Sequence, residues 1–158
     1  MSGIEDLKPF DFFPFDRQSS LRAIGWMEAV VDTEAEIPVL GFFEKLFDLL
    51  VNPWEPFVSA GYHDCSLCRF TGGPREIRIN NQSVRLGNAN LFVPGIDCVF
   101  VAPSSVIHYI DAHGYCPPKV FQEAVLQCPK MRSMEYFRAL RRHISIRALE
   151  TPPDDLVI

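Results

Sequence analysis

In the stretch Gly61-Tyr62-His63-Asp64-Cys65-Ser66-Leu67-Cys68 two cysteines stand three positions apart, and in Ile107-His108-Tyr109-Ile110-Asp111-Ala112-His113 two histidines stand five apart. Thiolate sulfur and imidazole nitrogen are donors that zinc prefers, and a C-x2-C pair can present both sulfurs to one ion from a single tight turn. Cys65, Cys68, His108 and His113 are therefore the expected ligands of one zinc ion, a Cys2His2 site. Four protein ligands complete a tetrahedron and leave no position for a substrate water. The expected role of the ion is structural, and no residue is assigned to catalysis.

The histidine spacing sets a geometric condition. Five residues advance a regular helix by about 500°, which leaves the two side chains about 140° apart. Convergence on one ion requires a bend or a frayed end, and Gly114 places His113 at a helix terminus where the backbone can depart from regularity. Two alternative ligands compete. His63 adjoins the cysteine pair, and Cys116 makes a His113-x2-Cys116 pair before a helix, as in a treble-clef finger. Asp64 and Asp111 are candidate acceptors for a ligand imidazole N–H, which would fix its tautomer. Arg69 occupies the position where the commonest zinc knuckles carry glycine, and its charge would favour thiolate at the cysteines. Cys98 and Cys128 read as small buried hydrophobes.

The elements that must carry these residues follow from apolar periodicity and breakers. Ser19 or Ser20 can cap a helix to about Val31, with Leu21, Ile24, Met27 or Glu28 and Val31 at helical spacing. A second helix runs from Pro38, with Val39, Phe42, Phe43, Leu46, Phe47, Leu49 and Leu50 on one broad face, until Asn52-Pro53 stops it. Between Arg75 and Ala102 the period changes. Runs 76–79, 84–86, 90–93 and 98–101 read as strands separated by turns at Asn80-Asn81, Gly87-Asn88 and Pro94-Gly95. Ser104 or Ser105 caps a short helix through about Ala112. Pro117-Pro118 opens a helix from Lys119 to about Gln127, with Val120, Phe121, Ala124, Val125 and Leu126 inward, and Ser133 caps a last one ending near His143. Residues 144–149 read as a final strand.

The expected fold is α+β: a small antiparallel sheet of three or four strands packed with four or five helices around the zinc site. Its organisation is an irregular Phe-rich arm over 1–17 that lies across the domain surface, one zinc-stabilised domain over 18–149 and a flexible tail over 150–158. A length of 158 residues suits one compact domain, and 47% hydrophobic with 22% charged residues is the balance of an ordinary soluble protein. No run reaches the roughly 20 apolar residues a bilayer span needs. The N-terminus is acidic where a secretory leader is basic, and five cysteines resist complete pairing. The reading is a cytoplasmic protein in a reducing compartment, with no membrane partner.

Beyond Cys65-x2-Cys68, the order Val101-Ala102-Pro103, His108-Tyr109-Ile110, His113-Gly114-Tyr115, Pro117-Pro118 and Phe121 resembles a family of small uncharacterised bacterial proteins with the pattern C-x2-C … A-P-x4-H-Y-I-x2-H-x-Y-x-P-P. Upstream, Ala23-Ile24-Gly25-Trp26-Met27 and Phe43 to Leu50 look like that family's N-terminal helical part, so the resemblance covers about residues 20–129. It implies a shared cysteine-histidine metal site, with Cys116 at a position that the pattern leaves open. It implies no reaction.

Three functions compete. A zinc hydrolase of the H-E-x-x-H type would space its histidines by four with Glu after the first, whereas Tyr109 follows His108, and the H-x-E and P-C-x-x-C signatures of a zinc deaminase are absent. A zinc-finger-like nucleic-acid binder is suggested by Arg132, Arg138, Arg141 and Arg142, but the net charge is -5 and 39 residues separate Cys68 from His108, against about 12 in compact fingers. Residues 1–60 hold eleven acids against four bases, and residues 61–158 nine against eleven. The favoured reading is a non-enzymatic zinc-binding protein whose acidic first half meets another protein, as immunity proteins, antitoxins or adaptors do.

Overall fold

The computed structural model describes residues 3–10, 20–26, 36–56, 61–68 and 70–144. Among them the order is β1 (Leu21–Ala23), α1 (Phe42–Val51), β2 (Glu76–Ile79), β3 (Gln82–Arg85), β4 (Asn90–Pro94), β5 (Val99–Pro103), α2 (Val106–His113), α3 (Lys119–Gln127) and α4 (Met134–Arg141). Among the described residues the fold is α+β with four helices, and the strands form two sheets rather than one.

The expected single antiparallel sheet is corrected in two respects. β2 and β3 form a separate antiparallel hairpin, Ile77 opposite Val84, turned by Asn80 and Asn81 at φ 50 and 66. Two positive-φ residues are what a tight hairpin with the right strand twist requires, and asparagine tolerates them. β4 and β5 pair antiparallel, with Phe92 opposite Val101. β1 then adds to β5 in parallel, with Leu21 opposite Val99.

β1 lies where apolar spacing predicts the start of a helix. Gly25 has φ +73, outside the right-handed helical region, and the Ile24 N–H donates to Val101 O at 2.9 Å. Leu21, Ala23 and Ile24 are buried against β5, so tertiary pairing overrides a weak helical pattern already weakened by glycine. The remainder of that predicted helix, 27–31, and the predicted strand over 145–149 lie outside the described residues.

Residues 4–10 run along the other edge of β1. Leu7 N–H donates to Ala23 O (2.7 Å), Ala23 N–H to Lys8 O (2.9 Å) and Phe10 N–H to Leu21 O (3.1 Å). Phe10 is buried, 4.9 Å from the Trp26 ring.

α1 begins later than Pro38 predicts, because Gly41 at φ 84 forms its N-cap. Phe42, Leu46, Phe47, Leu49 and Leu50 are buried, while Val39 stays partly exposed. In α3 the buried set is Phe121, Gln122 and Val125, and the expected Val120 and Leu126 face outward. Buried Gln122 donates to Pro117 O (2.7 Å) and accepts from Val39 N–H (2.8 Å), which satisfies both ends of its amide. Phe121 fills the centre, edge-on to Phe42 and Phe100. Ser133 caps α4 as expected, its Oγ accepting from Tyr136 N–H at 3.1 Å.

Candidate metal centre

Cys65 and Cys68 sit on a turn whose backbone closes on itself. Cys68 N–H donates to Cys65 O (3.2 Å), Gly72 N–H to Cys68 O (3.2 Å) and Cys65 N–H to Gly72 O (2.6 Å). His63 N–H donates to Gly87 O (2.7 Å) and ties this knuckle to the end of β3. The glycines are required for close approach: Gly72 and Gly73 have φ +70 and +84, and a methyl on Gly73 would lie 2.9 Å from Cys65 Cβ.

α2 brings the histidines. His108 is buried in its middle, and His113 is its last residue, followed at once by Gly114 in the left-handed conformation with its N–H on Tyr109 O. The helix end thus falls where the 140° problem requires it. The two rings stand 4.9 Å apart and nearly perpendicular, at 89°.

The four donor atoms of Cys65, Cys68, His108 and His113 all lie within 4.8 Å of one another. Cys68 Sγ is 3.3 Å from His108 Nε2 and 3.4 Å from His113 Nε2, and Cys65 Sγ is 3.5 Å from His113 Nε2. Tetrahedral zinc with ordinary bond lengths holds sulfur and nitrogen about 3.6 Å apart. Hydrogen bonding alone serves this arrangement poorly, because His113 Nε2 faces two sulfurs and has at most one proton to share.

The electrostatics are compatible with a bound cation. Burial and the adjacent Cys65 push the Cys68 thiol up, and burial with His113 pushes His108 down, against a smaller opposing effect of Asp111. Burial and the two cysteine sulfurs likewise raise Tyr109, which packs beside both imidazoles. A Cys68 thiolate is therefore unfavourable here by itself, and a bound divalent ion would reverse that preference. A neutral imidazole is the ligating form.

The alternative ligands fall elsewhere. Cys116 Sγ accepts from Gln122 Nε2 at 3.5 Å, and neither it nor His63 joins the cluster. Asp64 forms an exposed ion pair with Arg75 at 3.3 Å, and Asp111 is exposed on α2. Among the described residues no hydrogen bond joins either carboxylate to a ligand imidazole. Arg69 lies outside the described residues. Cys128 is buried and Cys98 partly so. Sequence reasoning did not find Gly73 as the backing of the site, although its glycine pair after the cysteines was the available signal.

Residues 2–126 match a family described as a domain of unknown function, DUF7919. The chain belongs to the DUF7919 family. The matched region contains all four cluster residues as well as the N-terminal segment that lines β1. No curated protein and no solved structure matches the chain at a significant level. No helix among the described residues is long and apolar enough to cross a membrane.

Proposed function

We propose that this member of the DUF7919 family is a non-enzymatic protein that binds one structural zinc ion through Cys65, Cys68, His108 and His113 and acts by association with another protein. The observation that carries the metal reading is the convergence of two sulfurs and two imidazole nitrogens within 4.8 Å, from segments 39 residues apart. All four positions of a tetrahedral ion are taken by protein, which favours a structural over a hydrolytic role. The ion would fasten the knuckle to α2.

Support for a protein partner is compositional: the acidic first half, and exposed large side chains such as Phe70 at 97% beside the knuckle. An immunity, antitoxin or adaptor role is the version of this reading with the most direct test. Co-expression with the product of an adjacent gene should yield a stoichiometric complex, and failure of every neighbour to bind removes the immunity and antitoxin versions.

The metal reading is tested on purified full-length protein by elemental analysis, with one zinc per chain expected. Cys65→Ser should lose zinc and fold together, because ligand binding supplies folding free energy. A folded, zinc-free Cys65→Ser chain of native stability would refute the structural role.

A further inference from the structure

Both ends of α2 are held from the N-terminal side of the chain. At its start, Gly25 packs so closely on Val106 that a methyl there would lie 2.7 Å from Val106 Cγ2. At its end, Tyr115 is buried, and its N–H returns to Tyr109 O at 3.1 Å, beside the Gly114 N–H on the same carbonyl. The Tyr115 hydroxyl donates to Asp6 Oδ2 at 2.5 Å, while Asp6 Oδ1 accepts from Gly25 N–H at 2.9 Å. One carboxylate therefore clamps together the turn after β1 and the turn that immediately follows His113.

We propose that Asp6, acting through Tyr115, is a positioning residue for the metal centre: it holds the terminal turn of α2 so that His113 points into the Cys65–Cys68–His108 cluster. This inference rests on the metal reading above. Its physical basis is the spacing of the two histidines. On a regular helix they diverge by about 140°, so the second reaches the first only through the conformation of the last turn. α2 has eight residues, too few to hold its own end against fraying, and charge-assisted hydrogen bonds such as Tyr115 to Asp6 are among the stronger local restraints. Outer contacts that orient a ligating histidine commonly set metal affinity.

The test is cobalt titration of the full-length apo-protein, read by the visible bands of thiolate-bound tetrahedral cobalt. The wild-type chain should bind one cobalt. Asp6→Ala and Tyr115→Phe should each weaken binding about tenfold or more, with altered bands. The double variant should lose no more than Asp6→Ala alone, because that substitution already removes the contact that Tyr115→Phe removes. Thermal unfolding with zinc and with chelator separates positioning from a merely structural role. The rise in Tm on adding zinc should be smaller in each variant than in the wild type. Wild-type affinity in both variants, or an equal loss of Tm with and without zinc, would overturn the proposal. A wild-type chain that takes up no cobalt would instead overturn the metal reading and this inference with it.

Discussion

Gly73 backs directly onto Cys65. A methyl on its α-carbon would stand 2.9 Å from Cys65 Cβ and 3.5 Å from His108 Nε2, at a backbone φ of +84. The knuckle can therefore carry the sulfurs close to α2 only because this position has no side chain. Gly73→Ala should cost about 2 kcal/mol from the left-handed backbone and the displaced cysteine together. It should weaken metal binding roughly tenfold by moving a ligand. Chelator competition and chemical denaturation measure the two effects, and wild-type values in both would show that the knuckle yields without cost.

Cys116 and His108 make opposite predictions. Cys116 bonds to Gln122 outside the cluster, whereas His108 is buried within it. Cys116→Ser should keep one zinc per chain, and His108→Ala should lose it. Elemental analysis of the two purified variants decides, and the reverse pattern would transfer the ligand role to Cys116.

Burial raises the Cys128 thiol to about 11, with Lys45 opposing, from an ordinary value of 9.0. A folded-state pKa above the unfolded one means that folding favours the protonated form. The associated stability is complete below pH 9 and disappears as pH rises from 9 towards 11. Its size is on the order of 2 kcal/mol. Cys128→Ala should show a correspondingly shallower alkaline loss of stability than the wild type, measured by denaturant unfolding across that window at constant zinc. Parallel curves for the two proteins would refute it.

The hydroxyl of Tyr136 donates to Phe92 O at 2.6 Å and is fully buried, linking α4 to the middle of β4. Tyr136→Phe leaves that carbonyl with one bond fewer in a dry site and should destabilise by about 1–2 kcal/mol without altering the metal content. Urea denaturation beside zinc analysis checks both halves of this expectation.

Much of the site was legible because its signals are local. Donor type and short spacing single out Cys65-x2-Cys68 and His108 with His113, and Gly114 marks the helix end at which the second imidazole can turn. The same holds for α3 and α4, whose boundaries are written by Pro117-Pro118, Pro129 and the Ser133 cap. Those features act within a few residues, so one-dimensional reasoning reaches them.

The sequence by itself therefore determined the candidate donors, with Cys116 and His63 still open as alternatives, the hairpin turn at Asn80-Asn81 and the Ser133 cap of α4. Tertiary structure alone decided that Leu21–Ala23 is a strand, that the strands divide into two sheets, and that Val120 and Leu126 face outward. It also placed Asp6 on Tyr115, 109 positions away, and excluded Cys116 from the cluster. The physical reason is common to all of these. Each depends on which distant surface is available to pair with, and for Leu21 the exposed edge of β5 outweighs a helical preference of only a few tenths of a kcal/mol per residue, roughly the range over which propensities act.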